Sequence, residues 1–362
     1  MRAADSGRIA GPKAANLGEL KHYFPEAVTN GLVIPFGHFR ALLDQPLESG
    51  GPSVFGWMQQ QYHLIQSLAG QPREQETVSR QFLERMRDWI SNADPGDDFR
   101  RRLKAAMEEN FGPDGTYGVF VRSDTNVEDL PGFTGAGLNL TIANVVGFEN
   151  VLKAINRVWA SPFTERAYRW RQAYMQNPEH VYASVLLLNS IPADKSGVMV
   201  TADVDTGQPG WLTIAVNEGV GGAVSGQRAE ELRIHLADGD VQLLSQATEP
   251  YKRVILKEGG MSKIPVDGGE AVLSPKEIQQ LIKFAGSVPD RFPMLQNTQG
   301  QVVPADIEFG FYNDRLVLFQ IRPFLESSRA RQNLFLNRLD QRLKEKQTMI
   351  VDLDRVPAEE TQ

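Results

Sequence analysis

The stretch "DIEFGFYNDRLVLFQIRP", Asp306 to Pro323, leaves this chain few structural options. Two runs rich in Phe, Ile, Leu and Val flank Asn-Asp-Arg, the pattern of a β-hairpin. Side chains alternate between the two faces of a strand, so a buried apolar face fixes the register. A three-residue turn, Asn313 to Arg315, pairs Phe311 with Val317, Phe309 with Phe319 and Ile307 with Ile321. The opposite face then pairs Glu308 with Gln320 and Asp306 with Arg322. A two-residue turn sets Glu308 against Phe319 and mixes the faces, so the three-residue turn is expected. Carboxylate and amide oxygens are hard donors suited to Mg²⁺, and a neighbouring Arg can clamp a phosphoryl group. A solvated strand face with two cross-strand polar pairs is the other reading of the same residues.

Composition narrows the partners. The chain has 362 residues, enough for two domains or one domain with two lobes, and a net charge of −7. That balance does not favour nucleic acid, so any bound phosphate must be held by local groups. No apolar run reaches membrane-span length, and the first residues lack the apolar core of a signal peptide. There is no Cys, hence no disulfide or thiolate nucleophile, which fits a cytoplasmic protein. Helical patterns cover 11–24, 54–109, 148–160 and 326–347. Strand-like runs occupy 118–123, 181–189, 197–204 and 211–217, with the second and third expected to pair around "SIPADKS". Ser161-Pro162 is expected to open a second helix after 148–160. The mixed order suggests an α+β or α/β pair of lobes, with α+β as the expected fold class. Residues 1–195 form an N-terminal lobe, 196–325 a C-terminal lobe and 326–362 a helical tail in this expectation.

Three further segments carry polar or Gly-rich chemistry. Arg122 ends a buried strand, where a charge needs a reason, either a ligand or a pair with Asp124, Glu128 or Asp129. It leads into "SDTNVEDLPGFTGAG", where Gly132, Gly135 and Gly137 allow close backbone approach and Thr134 adds a donor. Lys13, in "GPKAANLGEL", sits at a helix N-terminus, where a cation makes sense if the helix end and the ammonium both face an anion; a surface Lys is the other reading. Gly219, Gly221 and Gly222 in "NEGVGGAVSG" suit a tight loop near a ligand or a plain strand-end turn. Neither a dinucleotide fingerprint nor a P-loop occurs. His22, His38, His63, His180 and His235 show no metal-ligand spacing and read as structural or surface residues.

Six stretches in order carry a resemblance: "GPKAANLGEL", "VRSDTNVEDLPGFTGAG", "INRVWASPFTERAYRWR", "DKSGVMVT", "NEGVGGAVSG" and "DIEFGF…LFQIRPF". Together they resemble the N-terminal nucleotide-binding domain of the phosphoenolpyruvate synthase and pyruvate phosphate dikinase family. That domain also occurs in rifampin phosphotransferase and α-glucan water dikinase. The resemblance implies a two-lobed, ATP-grasp-like site with ATP and Mg²⁺ as cofactors. Lys13 and Arg122 are then expected on the ATP phosphates, with Thr134, Gly135 and Gly137 folding over them. Glu308 and Gln320 are expected to bind Mg²⁺, and Arg322 the γ-phosphate. Asp306 binds nucleotide or orients Arg322. Lys13, Arg122 and Arg322 are the candidate catalytic residues.

This sequence departs from the family pattern in several places. Pro12 stands in a usual Gly-Gly-Lys, Asp124 follows Arg122-Ser123, and Leu140 and Leu186 replace polar residues. Gly222 stands where a Glu is usual. The family passes its phosphoryl group to a His in a Thr/Gly-rich loop of a separate swivelling domain, and no such loop occurs in these 362 residues. The acceptor is therefore expected on another part of a longer protein or on a partner chain. The readings stand in order as an ATP- and Mg²⁺-dependent phosphotransferase domain, a degenerate nucleotide-binding regulatory module, an ATP-grasp ligase and a docking domain.

Overall fold

A computed structural model of the chain describes residues 1–128, 140–223, 226–266, 268, 271–293, 295–296, 299–324 and 334–345. The N-terminal half alternates helices with four strands. Helix α1 (Pro12–Tyr23) has Pro at its first position, where no N–H is needed, and buries Leu17 and Leu20. Next come β1 (Gly31–Ile34), α2 (Phe36–Leu43), α3 (Val54–Ser67), α4 (Pro72–Asn92) and α5 (Asp97–Phe111). The Ser53 hydroxyl caps α3 by accepting from Gly56 N–H at 3.1 Å. Strands β2 (Gly118–Thr125) and β3 (Thr141–Val146) precede α6 (Phe148–Ala160) and α7 (Glu165–Tyr174). Ser161–Phe163 forms one 3₁₀ turn and Thr164 stands before α7, so Ser161-Pro162 does not open that helix.

The remaining strands are β4 (Ala183–Asn189), β5 (Lys195–Val200), β6 (Trp211–Glu218), β7 (Glu230–His235), β8 (Val241–Ser245), β9 (Tyr251–Ile255) and β10 (Met261–Pro265). Helix α8 (Pro275–Arg291) leads to β11 (Ala305–Tyr312) and β12 (Arg315–Pro323). Ser274 and Glu277 cap α8 reciprocally. Residues Met1–Phe324 make one compact unit; Leu325–Gln362 make a second, which contains helix α9 (Leu334–Glu345). The fold class is α+β.

Two antiparallel sheets organise the first unit, in the orders β1-β4-β2-β3 and β12-β11-β5-β6-β7-β8. The expected pairing of 181–189 with 197–204 does not occur. Strand β4 pairs with β1 and β2, whereas β5 pairs with β6 and β11. The segment between them carries the chain from one sheet to the other. Strand β4 is covered on both faces, which explains its unbroken "SVLLL". Its Val185 and Leu187 join a core with the N-terminal helices, including Phe39 and Trp159. Its Leu186 and Leu188 join the core of the six-stranded sheet, α1 and α8.

The hairpin β11–β12 differs from expectation in one way. Its turn has two residues, and both Asn313 (φ 50°) and Asp314 (φ 58°) adopt the left-handed region that such a turn requires. Tyr312 therefore faces Arg315, and Phe309 faces Leu318. A bulge at Phe319 then adds one residue to β12, and beyond it Glu308 faces Gln320 and Asp306 faces Arg322. Both parts of the strand thus keep their apolar side chains inward: Ile307, Phe309, Phe311, Leu318 and Ile321 are fully buried. The bulge lays Phe319 over Gly310, whose absent side chain makes the room. A Cβ at Gly310 would stand 2.8 Å from the Phe319 ring and 2.9 Å from the Lys195 carbonyl oxygen. Gly310→Ala is expected to lower unfolding free energy in urea by roughly 1–3 kcal/mol. An unchanged denaturation midpoint would show that the bulge tolerates a side chain there.

Candidate functional site

The site is built outward from β2. Its Asp124 is wholly buried and points at the start of α1. One carboxylate oxygen accepts from Lys13 N–H at 2.9 Å and the other from Ala14 N–H at 2.9 Å. The carboxylate thus fills the anion position at a helix N-terminus. Only Gly fits at position 11, since a Cβ there would come within 2.3 Å of the Asp124 oxygen. The Lys13 ammonium donates to the Ser123 carbonyl at 3.0 Å and forms an ion pair with Glu128. Both the helix end and the ammonium therefore face anions, and both anions belong to the chain. Burial pushes the Glu128 carboxyl up to about 7, aided by the Asp124 charge and opposed by Lys13. Burial pushes Asp124 up as well, opposed by Lys13 and the two backbone N–H groups.

Arg122, two residues earlier on the same face of β2, reaches the hairpin. One terminal nitrogen, Nη2, donates to Gln320 Oε1 at 2.9 Å and to Glu308 Oε2 at 3.1 Å. Its Nη1 donates to the Phe319 carbonyl at 3.3 Å, a group presented by the bulge. Its Nε is buried and makes no hydrogen bond. Arg322 donates through Nε to Asp306 Oδ2 at 2.8 Å, so the hairpin face carries two cation–carboxylate pairs side by side. Arg122, Glu308 and Gln320 are thus joined directly, and Asp306 with Arg322 stands one step along the same face. Thr134, Gly135 and Gly137 lie outside the described residues.

A cavity of about 360 Å³ adjoins Arg122 and Glu308. Its apolar wall includes Phe120, the inter-sheet residues Ile191 and Ala193, and Phe319. Val220 and Gly221, from the Gly-rich loop after β6, form another side. Gly219 has φ 77°, and a Cβ there would meet the Arg253 carbonyl oxygen at 2.4 Å. Leu186 lies away from this cavity, among the residues beside α1. Sequence patterns did not point to Phe120 or Arg253. Phe120 is one of several apolar residues in its strand, and Arg253 sits in an alternating stretch with no motif around it.

A shape-preserving substitution separates the charge of Glu128 from its packing. A carboxyl bound more tightly by protons when folded than at its ordinary value of 4.5 contributes stability at low pH. That contribution is lost as pH rises from about 4.5 towards 7. Urea denaturation across this range should show the parent chain losing stability relative to Glu128→Gln. A pH-independent difference would contradict the burial account.

The chain matches the family model described as pyruvate phosphate dikinase, AMP/ATP-binding domain, over residues 7–342. It is 26% identical to a rifampicin phosphotransferase of a Streptomyces species over 328 residues, covering 89% of this chain and 35% of that protein. It is 27% identical to a probable phosphoenolpyruvate synthase of Methanothermobacter thermautotrophicus over 311 residues, covering 84% of this chain and 43% of that one. A phosphoenolpyruvate synthase of Aquifex aeolicus is 30% identical over 232 residues, 60% of this chain and 27% of the relative. The chain thus spans less than half the length of these relatives. Among solved structures, truncated Cdc123 of Schizosaccharomyces pombe aligns over 90% of this chain and 91% of its own, with a TM-score of 0.34 and 10% identity, too slight a likeness to build on. With the match running from before α1 to beyond β12, the chain belongs to the pyruvate phosphate dikinase AMP/ATP-binding domain family.

Proposed function

We propose that the chain binds ATP with Mg²⁺ in an ATP-grasp-like manner and prepares the γ-phosphoryl group for transfer to a His on a separate swivelling domain. The observation that carries this reading is the convergence of Glu308 and Gln320 on one cationic group, Arg122 Nη2, beside an apolar cavity. Two oxygens that already share one cation suit Mg²⁺, which takes one or two protein oxygens and keeps phosphate and water for the rest. Among the described residues no group of three or more His, Cys, Asp or Glu could hold a metal unaided, so ligand oxygens complete the set in this proposal. Bound Mg²⁺ would neutralise charge on the phosphate oxygens.

The chain's own residues supply position and charge. Arg122 leaves Glu308 and Gln320 for a phosphate oxygen, using a guanidinium whose Nε is unpaired. Arg322, held by Asp306, offers a second guanidinium on the same face. The cavity takes the base against Phe120 and Val220 and excludes water from it. Transfer breaks the bond from the γ-phosphorus to the bridging oxygen and forms one to the acceptor His nitrogen. The protein contributes orientation and electrostatic stabilisation to that step.

A second reading, a nucleotide-binding regulatory module without transfer, is favoured by one observation. The N-terminus of α1 and the Lys13 ammonium are occupied by Asp124 and Glu128. These two internal anions stand where phosphate oxygens could otherwise bind.

Calorimetry with ATP and Mg²⁺ tests the primary reading. Glu308→Ala and Arg322→Ala should each weaken binding by roughly 10- to 100-fold, as expected for charge-assisted contacts. A folded parent chain that binds no ATP overturns the proposal. The regulatory reading predicts binding of γ-labelled ATP without label reaching the swivelling domain of a relative; transfer of label excludes it.

A further inference from the structure

One wall of the cavity comes from a segment that no sequence motif singles out. Strands β9 and β10 form a separate two-stranded ribbon. At its base, Arg253 bridges to Gly219, and its carbonyl accepts from Val220 N–H at 2.9 Å. Its turn is held by Asn144 of β3. The Asn144 side-chain amide donates to the Leu256 carbonyl at 2.7 Å and the Gly260 carbonyl at 2.8 Å. The Gly260 N–H donates back to the Asn144 carbonyl at 2.8 Å. Asn144 is 2% exposed and left-handed, with φ 48°, a conformation that Asn tolerates better than most residues. The ribbon therefore spans from the loop after β6 to β3, tied at both ends. It brings Arg253 and Met261 to the cavity wall.

Arg253 stands apart from the neighbouring basic residues. Lys252 pairs with Glu218 at 2.6 Å, and Arg122 is held by the hairpin. The Arg253 guanidinium makes no hydrogen bond or ion pair among the described residues, although Arg253 is half-buried. Among the described residues Glu308 is the one carboxylate lining the cavity, and it already faces Arg122. The described lining thus sets two arginines, Arg122 and Arg253, against one carboxylate beside a largely apolar space. Arg253 is half-buried and its nitrogens stay accessible, so an anion entering the cavity can reach an unpaired cation there.

We propose that Arg253 is a ligand-binding residue for the anionic part of a nucleoside polyphosphate, positioned by the ribbon that Asn144 ties to β3. This rests on the nucleotide reading above. Arg122 then holds the phosphate chain from β2 and Arg253 holds it from the ribbon. Asn144 is a positioning residue, acting through the ribbon alone.

Calorimetry with ATP and Mg²⁺ on the full chain tests the assignment. Arg253→Met keeps the aliphatic stem and removes the charge; it should weaken ATP binding about tenfold, in line with one charge-assisted contact. Arg253→Lys restores a cation and should bind within roughly threefold of the parent. Asn144→Ala should weaken ATP binding and also speed hydrogen exchange of the amide of Gly260. Melting curves confirm that each variant is folded. Unchanged affinity in Arg253→Met, or equal losses in the Met and Lys variants, overturns the assignment while leaving ATP binding intact. A parent chain that binds no ATP overturns the nucleotide reading and this assignment together.

Discussion

The first unit of this protein depends on the reach of Arg122 from β2 to the β11–β12 hairpin. An Arg near the end of a buried strand is tolerated when most of its donors find partners. Here Glu308, Gln320 and the Phe319 carbonyl satisfy Nη1 and Nη2, and they lie in the other sheet. The side chains of Arg122 and Glu308 are 11% and 20% exposed, so water screens their attraction only partly. Breaking such a contact without replacing it leaves a poorly solvated charge on each side. In the proposed function a phosphate and a metal together replace the contact, an anion for Arg122 and a cation for Glu308 and Gln320.

Two residues further along β2 the electrostatics are closed. Asp124 serves as the N-terminal anion of α1, and Glu128 takes the Lys13 ammonium. Two acidic groups buried together are costly, and their cost is offset by one ammonium and two helix N–H groups. Along one face, β2 thus carries an internally neutralised cluster at Asp124 and, two residues earlier, an Arg paired with the other sheet. The cluster also gives Gly11 a steric reason, since only a residue without Cβ permits the carboxylate to approach α1.

Much of this was legible in the sequence, and the misses have physical causes. Burial of one hairpin face gave the pairs Glu308–Gln320 and Asp306–Arg322, because apolar alternation is a strong constraint. The turn was misjudged because Asn313-Asp314 accommodates two left-handed residues and a bulge at Phe319 restores the register. Two compensating one-residue shifts cannot be separated by alternation alone. The pairing of β4 with β5 was misjudged because adjacent apolar runs look like a hairpin whether or not the chain changes sheets between them. Arg122 was identified from its burial, but its partners lie nearly 200 positions away in sequence and no local pattern names them. Arg253 is not marked by any sequence pattern, because its place on the cavity wall and its lack of a partner among the described residues are set by the fold.

The most direct test is a crystal structure of the chain with Mg²⁺ and a non-hydrolysable ATP analogue. The account predicts a metal between Glu308 and Gln320, with the Arg122 guanidinium moved onto a phosphate oxygen. An analogue bound elsewhere, with Arg122 still joined to Glu308 and Gln320, would contradict it.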